Sequence, residues 1–297
     1  MPDPTSPLTR LGVSLQHLLP QRALTALAHR VSNARAGWVR RPLIAGFRSL
    51  YDVDLDEAAL PDEGFESFNA FFTRALKPDA RPLDDVGRGL LCPCDGTLSQ
   101  IGAITDGGDG DGDDGRILQA KGRDYSVAEL LADANAAKDF TGGRFATIYL
   151  APYDYHRVHV PCDASLKTEL RVPGRLFSVS EATSLHIDRL FARNERMVAL
   201  FDTANGPMAV VMVAAMLVAG IETVWDPGLR LRPERDVTRT EFDPSVPLSA
   251  GAELGRFHWG STVIVLTGRD APDWIDGLAP GRRMRLGEAL TGPPARS

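Results

Sequence analysis

A chain of 297 residues with 43% hydrophobic and 24% charged side chains can bury a full core, as one large domain or two modest ones. Its formal charge of −6 excludes a general nucleic-acid binder, which needs a basic surface to displace counterions from phosphates. The charge is unevenly spread: residues 1–50 hold seven arginines against Asp3 alone, a local +6 that leaves the remainder at −12.

At the amino end, apolar residues between positions 11 and 31 recur every three or four residues, the helical period, and Pro20 divides them into two short helices. A third helix is expected near Trp38 and Pro42, carrying Leu43, Ile44, Phe47, Leu50 and Tyr51 beside Arg40, Arg41 and Arg48. Basic amphipathic helices with aromatic residues suit an interfacial anchor on anionic lipid, and equally a helical cap packed on its own domain or on a partner. Arg10, Gln16, His17, Gln21 and Arg22 interrupt the early leucines, so no signal peptide is expected there. The longest apolar run, residues 208–221, is too short to cross a bilayer as a helix.

Residues 53–88 read as a linker with a short helix at 65–76, whose stripe of Phe65, Phe68, Phe71 and Phe72 reads as core. From Leu90 the pattern changes to short β-branched runs at 98–104, 145–150, 157–160, 197–201, 208–218 and 262–266, separated by Gly, Pro and Asp. The expected fold is α+β: a mainly antiparallel β core with an N-terminal amphipathic helical region. The boundaries are 1–52 for the amphipathic helices, 53–88 for the linker and 89–297 for a β-rich catalytic domain. The acidic stretch 106–115 lacks the Gly and Glu spacing of an EF-hand calcium loop and reads as a surface loop. Three cysteines, Cys92, Cys94 and Cys162, are too few and of the wrong parity for a disulfide framework, which points to a reducing compartment. Zinc held by these three and His159 is a further reading, weakened by the C-x-C spacing.

Three segments combine Asp, His and Ser: CPCDG at 92–96, YLAPYDYHRVHVP at 149–161 and GRFHWGSTVIVL at 255–266. Each has a plain explanation alone, as a turn, a strand surface or a bulge. Together they supply a nucleophile, a base and an orienting carboxylate. Ser261 directly follows Gly260, where no side chain obstructs the hydroxyl and a strained backbone is tolerated. Its Oγ can attack the preceding carbonyl, shift the acyl group from nitrogen to oxygen and, after elimination and hydrolysis, leave a pyruvoyl group.

At seven collinear segments the chain resembles the phosphatidylserine decarboxylases of the bacterial full-length type. These include LQHLLPQRALTALAHRV, FNAFFTRALKPDARPLD, CDGTLSQIG, KGRDYSVAELL, FATIYLAPYDYHRVHVP, LFARNERMVALFDT and GIETVW, followed by the G-S-T of residues 260–262. The resemblance implies a self-cleavage triad of Asp95, His159 and Ser261, with His159 as base and Asp95 orienting its imidazole. It implies cleavage between Gly260 and Ser261 into a large chain 1–260 and a small chain 261–297. Ser261 then becomes the pyruvoyl cofactor, which forms a Schiff base with phosphatidylserine, and His156 acts as proton donor in decarboxylation. No metal is required. The implied partners are the lipid substrate, an anionic membrane surface and a homodimer of the two-chain unit, and the implied location is peripheral, on the cytoplasmic face of the membrane. Because 156 and 159 differ by an odd number, a bend or bulge between them is expected, or His156 outside the strand proper. Trp259 departs from the family's usual leucine, and Cys92 and Cys94 from its usual serine and small residue.

Rival readings are a conventional Ser-His-Asp hydrolase, which would lack the G-x-S-x-G elbow, a non-enzymatic membrane-binding protein, and a relative acting on another amino-bearing substrate.

Overall fold

The computed structural model describes residue 6 and residues 12–16, 18–105, 115–120, 122–216, 220–228, 235–258 and 260–292. Residues 106–114 of the acidic stretch and Trp259, both singled out above, lie outside the described residues.

The strands are β1 (Gly96–Ala103), β2 (Arg116–Ala120), β3 (Arg123–Ser126), β4 (Arg144–Leu150), β5 (Arg157–His159), β6 (Ala164–Val172) and β7 (Arg196–Thr203). They continue as β8 (Gly206–Val213), β9 (Ile221–Thr223), β10 (Thr238–Leu248), β11 (Glu253–Phe257), β12 (Ser261–Thr267) and β13 (Arg283–Met284). Eight form an antiparallel sheet in the order β10-β6-β7-β8-β12-β4-β1-β13, beside a three-stranded sheet β5-β11-β9 and a β2-β3 hairpin. The expected antiparallel β core is thus found.

Strand position follows composition. The sequence STVIVLT of β12 has no charge and is buried at every position, so it sits inside the sheet between β4 and β8. At the opposite extreme, β10 carries Pro244 and Pro247, which cannot donate to a ladder, and it forms a largely solvated edge. The core gathers on these strands, with Leu98, Ile148, Leu166, Val198, Val211 and Val265 fully buried in one cluster.

The amino-terminal region has a helical turn at residues 12–15, then α1 (Gln21–Ser32) after Pro20 and α2 (Gly37–Leu50). Pro20 divides the helices as expected, whereas Pro42 lies inside α2 without ending it. α1 is turned against its own amphipathicity. It buries Gln21, Thr25 and Ser32 and leaves Leu27 and Val31 exposed. Polar contacts explain this docking: Gln21 Oε1 accepts from the Leu176 N–H at 3.0 Å, and Gln16 Oε1 from the Ser178 N–H at 2.9 Å.

The expected linker holds the short helix α3 (Phe68–Phe72), capped by Ser67 Oγ, which accepts from the Ala70 N–H. Its phenylalanine stripe is core: Phe68, Phe71 and Phe72 pack with Phe47 of α2 and Val53 in a second cluster.

Candidate active site

The register of three adjacent strands assembles the site. Ser261 of β12 lies opposite Leu150 of β4, and on the other side of β4 Thr97 of β1 lies opposite Tyr149. Gly96 therefore falls beside Leu150, about two strand spacings, roughly 10 Å, from Ser261, with Asp95 just beyond it. Gly96 is required by close approach: a Cβ there would meet the Tyr149 carbonyl oxygen at 2.6 Å. Gly260 is not under such pressure, since a Cβ would meet Leu150 O at an ordinary 3.6 Å and its φ is not positive. Close packing therefore does not by itself require glycine at position 260 in the uncut chain.

Ser261 is wholly buried, and among the described residues its Oγ has no hydrogen-bond partner. A buried hydroxyl left in that state costs about 1–3 kcal/mol. His156 stands just before β5, outside the strand proper, one of the two arrangements expected from the odd spacing. Its carbonyl accepts from the Phe257 N–H at 3.0 Å, which clamps it to the segment leading into Ser261. Its ring packs on Phe72 at 4.1 Å between centroids, so the stripe of α3 forms one wall of the site. The His156 Nδ1–H donates to the Asp154 carbonyl at 2.8 Å, and Nε2, buried, has no partner among the described residues. Burial pushes the pKa of His156 down to about 3, so in the intact chain the ring is neutral and Nε2 is a lone pair.

His159, at the end of β5, donates Nδ1–H to the Gly251 carbonyl at 2.8 Å, and its Nε2 accepts from the Tyr155 hydroxyl at 3.1 Å. Burial lowers its pKa, only partly opposed by the Gly251 hydrogen bond and by the nearby charges of Glu253 and Asp95. The ring is a neutral base whose lone pair is on the nitrogen away from Gly251.

Asp95 does not hold this imidazole, contrary to the expected orienting contact. Its carboxylate accepts from Arg81 Nε at 3.0 Å, from Arg81 Nη2 at 2.7 Å and from the Leu286 N–H at 2.8 Å. The arginine fork matches both carboxylate oxygens, and Arg81 is itself fixed by Glu57 at 2.7 Å. Orientation of His159 falls to Gly251, while Asp95 acts on both histidines through its field, which favours their cations. The four predicted residues are thus gathered around the ends of β1, β4, β5 and β12, but Asp95, His159 and Ser261 do not form a hydrogen-bonded chain in the uncut protein. Hydrogen bonds of this kind often tighten only along the reaction.

Sequence reading missed Arg81, Arg74, Tyr155 and Gly251. Tyr155, Arg74 and Arg81 were within quoted motifs without being singled out, and nothing local marks Gly251. Cys92, Cys94 and Cys162 are free and buried, and burial pushes the thiols of Cys92 and Cys162 up to about 12. Among the described residues, no group of three or more His, Cys, Asp or Glu side chains is arranged to hold a metal.

A family model described as phosphatidylserine decarboxylase matches residues 68–292, and one described as PSD matches residues 11–52. The chain is 49% identical over 287 residues to the phosphatidylserine decarboxylase proenzyme of Ectopseudomonas mendocina, spanning 95% of this chain and 97% of that protein. The proenzyme of Azotobacter vinelandii matches at the same identity and coverage. That of Pseudomonas aeruginosa is 50% identical over 290 residues, 96% of this chain and 97% of its own.

Proposed function

The chain belongs to the phosphatidylserine decarboxylase family, and from that premise we propose that it matures by cutting its own backbone between Gly260 and Ser261. Its activity is the decarboxylation of phosphatidylserine to phosphatidylethanolamine and carbon dioxide.

The observation that carries the maturation step is the buried Ser261 hydroxyl without a partner, directly after an unobstructed glycine. His159 takes the Oγ proton as Ser261 attacks the Gly260 carbonyl carbon, and returns it to the departing Ser261 nitrogen. The peptide becomes an ester. Loss of the Ser261 Cα proton then expels the Gly260 carboxylate, and water converts the resulting enamine to a pyruvoyl group with release of ammonia. For His159 Nε2 to serve, the Tyr155 hydroxyl must give up its contact; Gly251 keeps the ring in the correct tautomer throughout.

The pyruvoyl carbonyl supplies an electron sink for the substrate amine. The surrounding residues fit such a group: it would occupy the place of Ser261, at the start of a fully buried strand. In the proposed decarboxylation His156 Nε2 delivers a proton to the substrate carbon. With a pKa near 3 in the intact chain it holds none beforehand, so it must gain one when negative charge arrives.

The amino-terminal helices support a peripheral membrane contact. Leu18, Leu27, Trp38 and Leu50 are 81%, 60%, 84% and 78% exposed, beside the arginines of residues 22–48. Among the described residues no helix is long and apolar enough to cross a membrane. The proposed location is the cytoplasmic face, and the proposed assembly is a homodimer of the two-chain unit.

Mass spectrometry tests the maturation step. Wild-type protein should yield a 261–297 fragment that begins with a pyruvoyl group, and Ser261→Ala an uncut chain. A single unbroken chain that decarboxylates would reject the reading. It would favour ordinary serine chemistry.

A further inference from the structure

Arg74 is 6% exposed; among the described residues its Nε is buried without a partner, its guanidinium makes a single hydrogen bond, from Nη2 to the Tyr153 carbonyl at 3.3 Å, and it lies over the Phe71 ring at 5.8 Å. Among the described residues no carboxylate comes within ion-pair distance of it. The other deeply placed arginines are matched. Arg81 is paired with Glu57 and Asp95, Arg171 with Glu169 and Asp226, and Arg196 donates to four carbonyl oxygens. A buried guanidinium stays charged, and one without a counter-ion is costly to keep.

Arg74 also lines two spaces at once. One is a cavity of about 310 Å³ shared with Asp95, Asp154 and Tyr155; the other, about 750 Å³, is shared with Asn69, Arg157 and His258. In the larger one Arg157 is paired with Glu253 and Arg256 with Glu222, so that among the described residues Arg74 is its arginine without an ion pair, although Asp62, Glu63 and Glu66 also line that space. It follows directly on α3, whose Phe72 packs on His156.

We propose that Arg74 holds the phosphodiester of the lipid headgroup, an inference that rests on the decarboxylase reading above. The substrate offers two anionic groups, and catalysis chooses between them. An arginine on the carboxylate would stabilise the charge that must vanish as carbon dioxide leaves, and so would raise the barrier. The phosphodiester keeps its charge throughout, so an arginine there binds substrate and transition state alike. Its planar fork suits two phosphate oxygens. Arg74 is in this sense a binding residue, expressed in KM and not in kcat.

Steady-state kinetics on full-length protein with phosphatidylserine in mixed micelles test this. Arg74→Gln and Arg74→Lys should both cut themselves normally, because maturation involves no substrate. Arg74→Gln should raise KM about 10- to 100-fold, the range of a charged hydrogen bond, with kcat little changed; Arg74→Lys should fall between. In the wild type, glycerophosphoethanolamine should compete with substrate and inorganic phosphate should not, and Arg74→Gln should weaken that competition by the same factor. An unchanged KM, a fall in kcat alone, or loss of self-cleavage in folded variants would overturn the assignment. So would competition by inorganic phosphate alone, or none by the phosphodiester, and this wild-type arm stands even if a variant does not fold. A wild type that neither cuts nor decarboxylates would instead sink the reading beneath it.

Discussion

Helix α1 and strand β12 solve opposite problems. α1 turns glutamine, threonine and serine inward and leaves Leu27 and Val31 in solvent, so its apolar face contributes little to the fold. β12 buries every residue, including the Ser261 and Thr262 hydroxyls, which find no partner among the described residues. Both arrangements give up stability, one by exposing apolar surface and the other by hiding polar atoms. The difference matches the proposed division of labour, with contact to an apolar surface at the rim and bond-breaking chemistry in the middle of the sheet.

The largest test of the β12 side separates the two histidines. His159→Ala should slow self-cleavage by about 10²- to 10⁴-fold, the usual contribution of a positioned base. His156→Ala should still cut but lose carbon dioxide release. Timed denaturing electrophoresis and a carbon dioxide assay read the two, and normal maturation without His159 would remove it as the base.

Next in size is the Arg81–Asp95 pair, whose side chains are each only 8% exposed. In an uncut Ser261→Ala background, Asp95→Asn should lower stability in urea by about 3 kcal/mol, since a buried arginine loses a partner. A change below about 0.5 kcal/mol would show that Glu57 alone suffices for Arg81.

At the rim the expectation is reversed. Replacing Leu27, Trp38 and Leu50 together by serine should cost little stability but reduce partition onto anionic vesicles at least tenfold, because each apolar side chain contributes about 1.5–3 kcal/mol when buried. Undiminished sedimentation with vesicles would assign that face to a protein partner.

The smallest effect is in pH. Burial lowers the His159 pKa, and only the neutral ring can accept the Ser261 proton. The self-cleavage rate should therefore stay level as pH falls through 6.5 and decline only below the lowered value. A half-maximal rate above pH 6.5 would contradict the buried, neutral base.

Much of the sheet was legible because periodicity is local. The β-branched runs gave β1, β4, β5, β7, β8 and β12, and the phenylalanine stripe gave a core helix. β6 was passed over although Leu166, Thr168, Leu170 and Val172 alternate with Lys167, Glu169 and Arg171; its charged face masks the apolar one, and Glu169 is buried through its pairing with Arg171 and Trp225. β10 was hidden by its prolines and polar edge.

The sequence by itself determined the candidates for reaction, namely the Gly260–Ser261 bond, two histidines at an odd spacing and a nearby aspartate, together with the strands that carry them. Only the tertiary structure decided what those groups touch. Arg81 reaches Asp95 across 14 positions, Gly251 reaches His159 across 92, and the Leu286 N–H reaches Asp95 across 191. Hydrogen-bond partners and buried charges are set by which distant segments share a space, and no periodicity records that. For the same reason α1 could be recognised as amphipathic while the face it turns inward was settled by the Leu176 N–H, which Gln21 meets from 155 positions away.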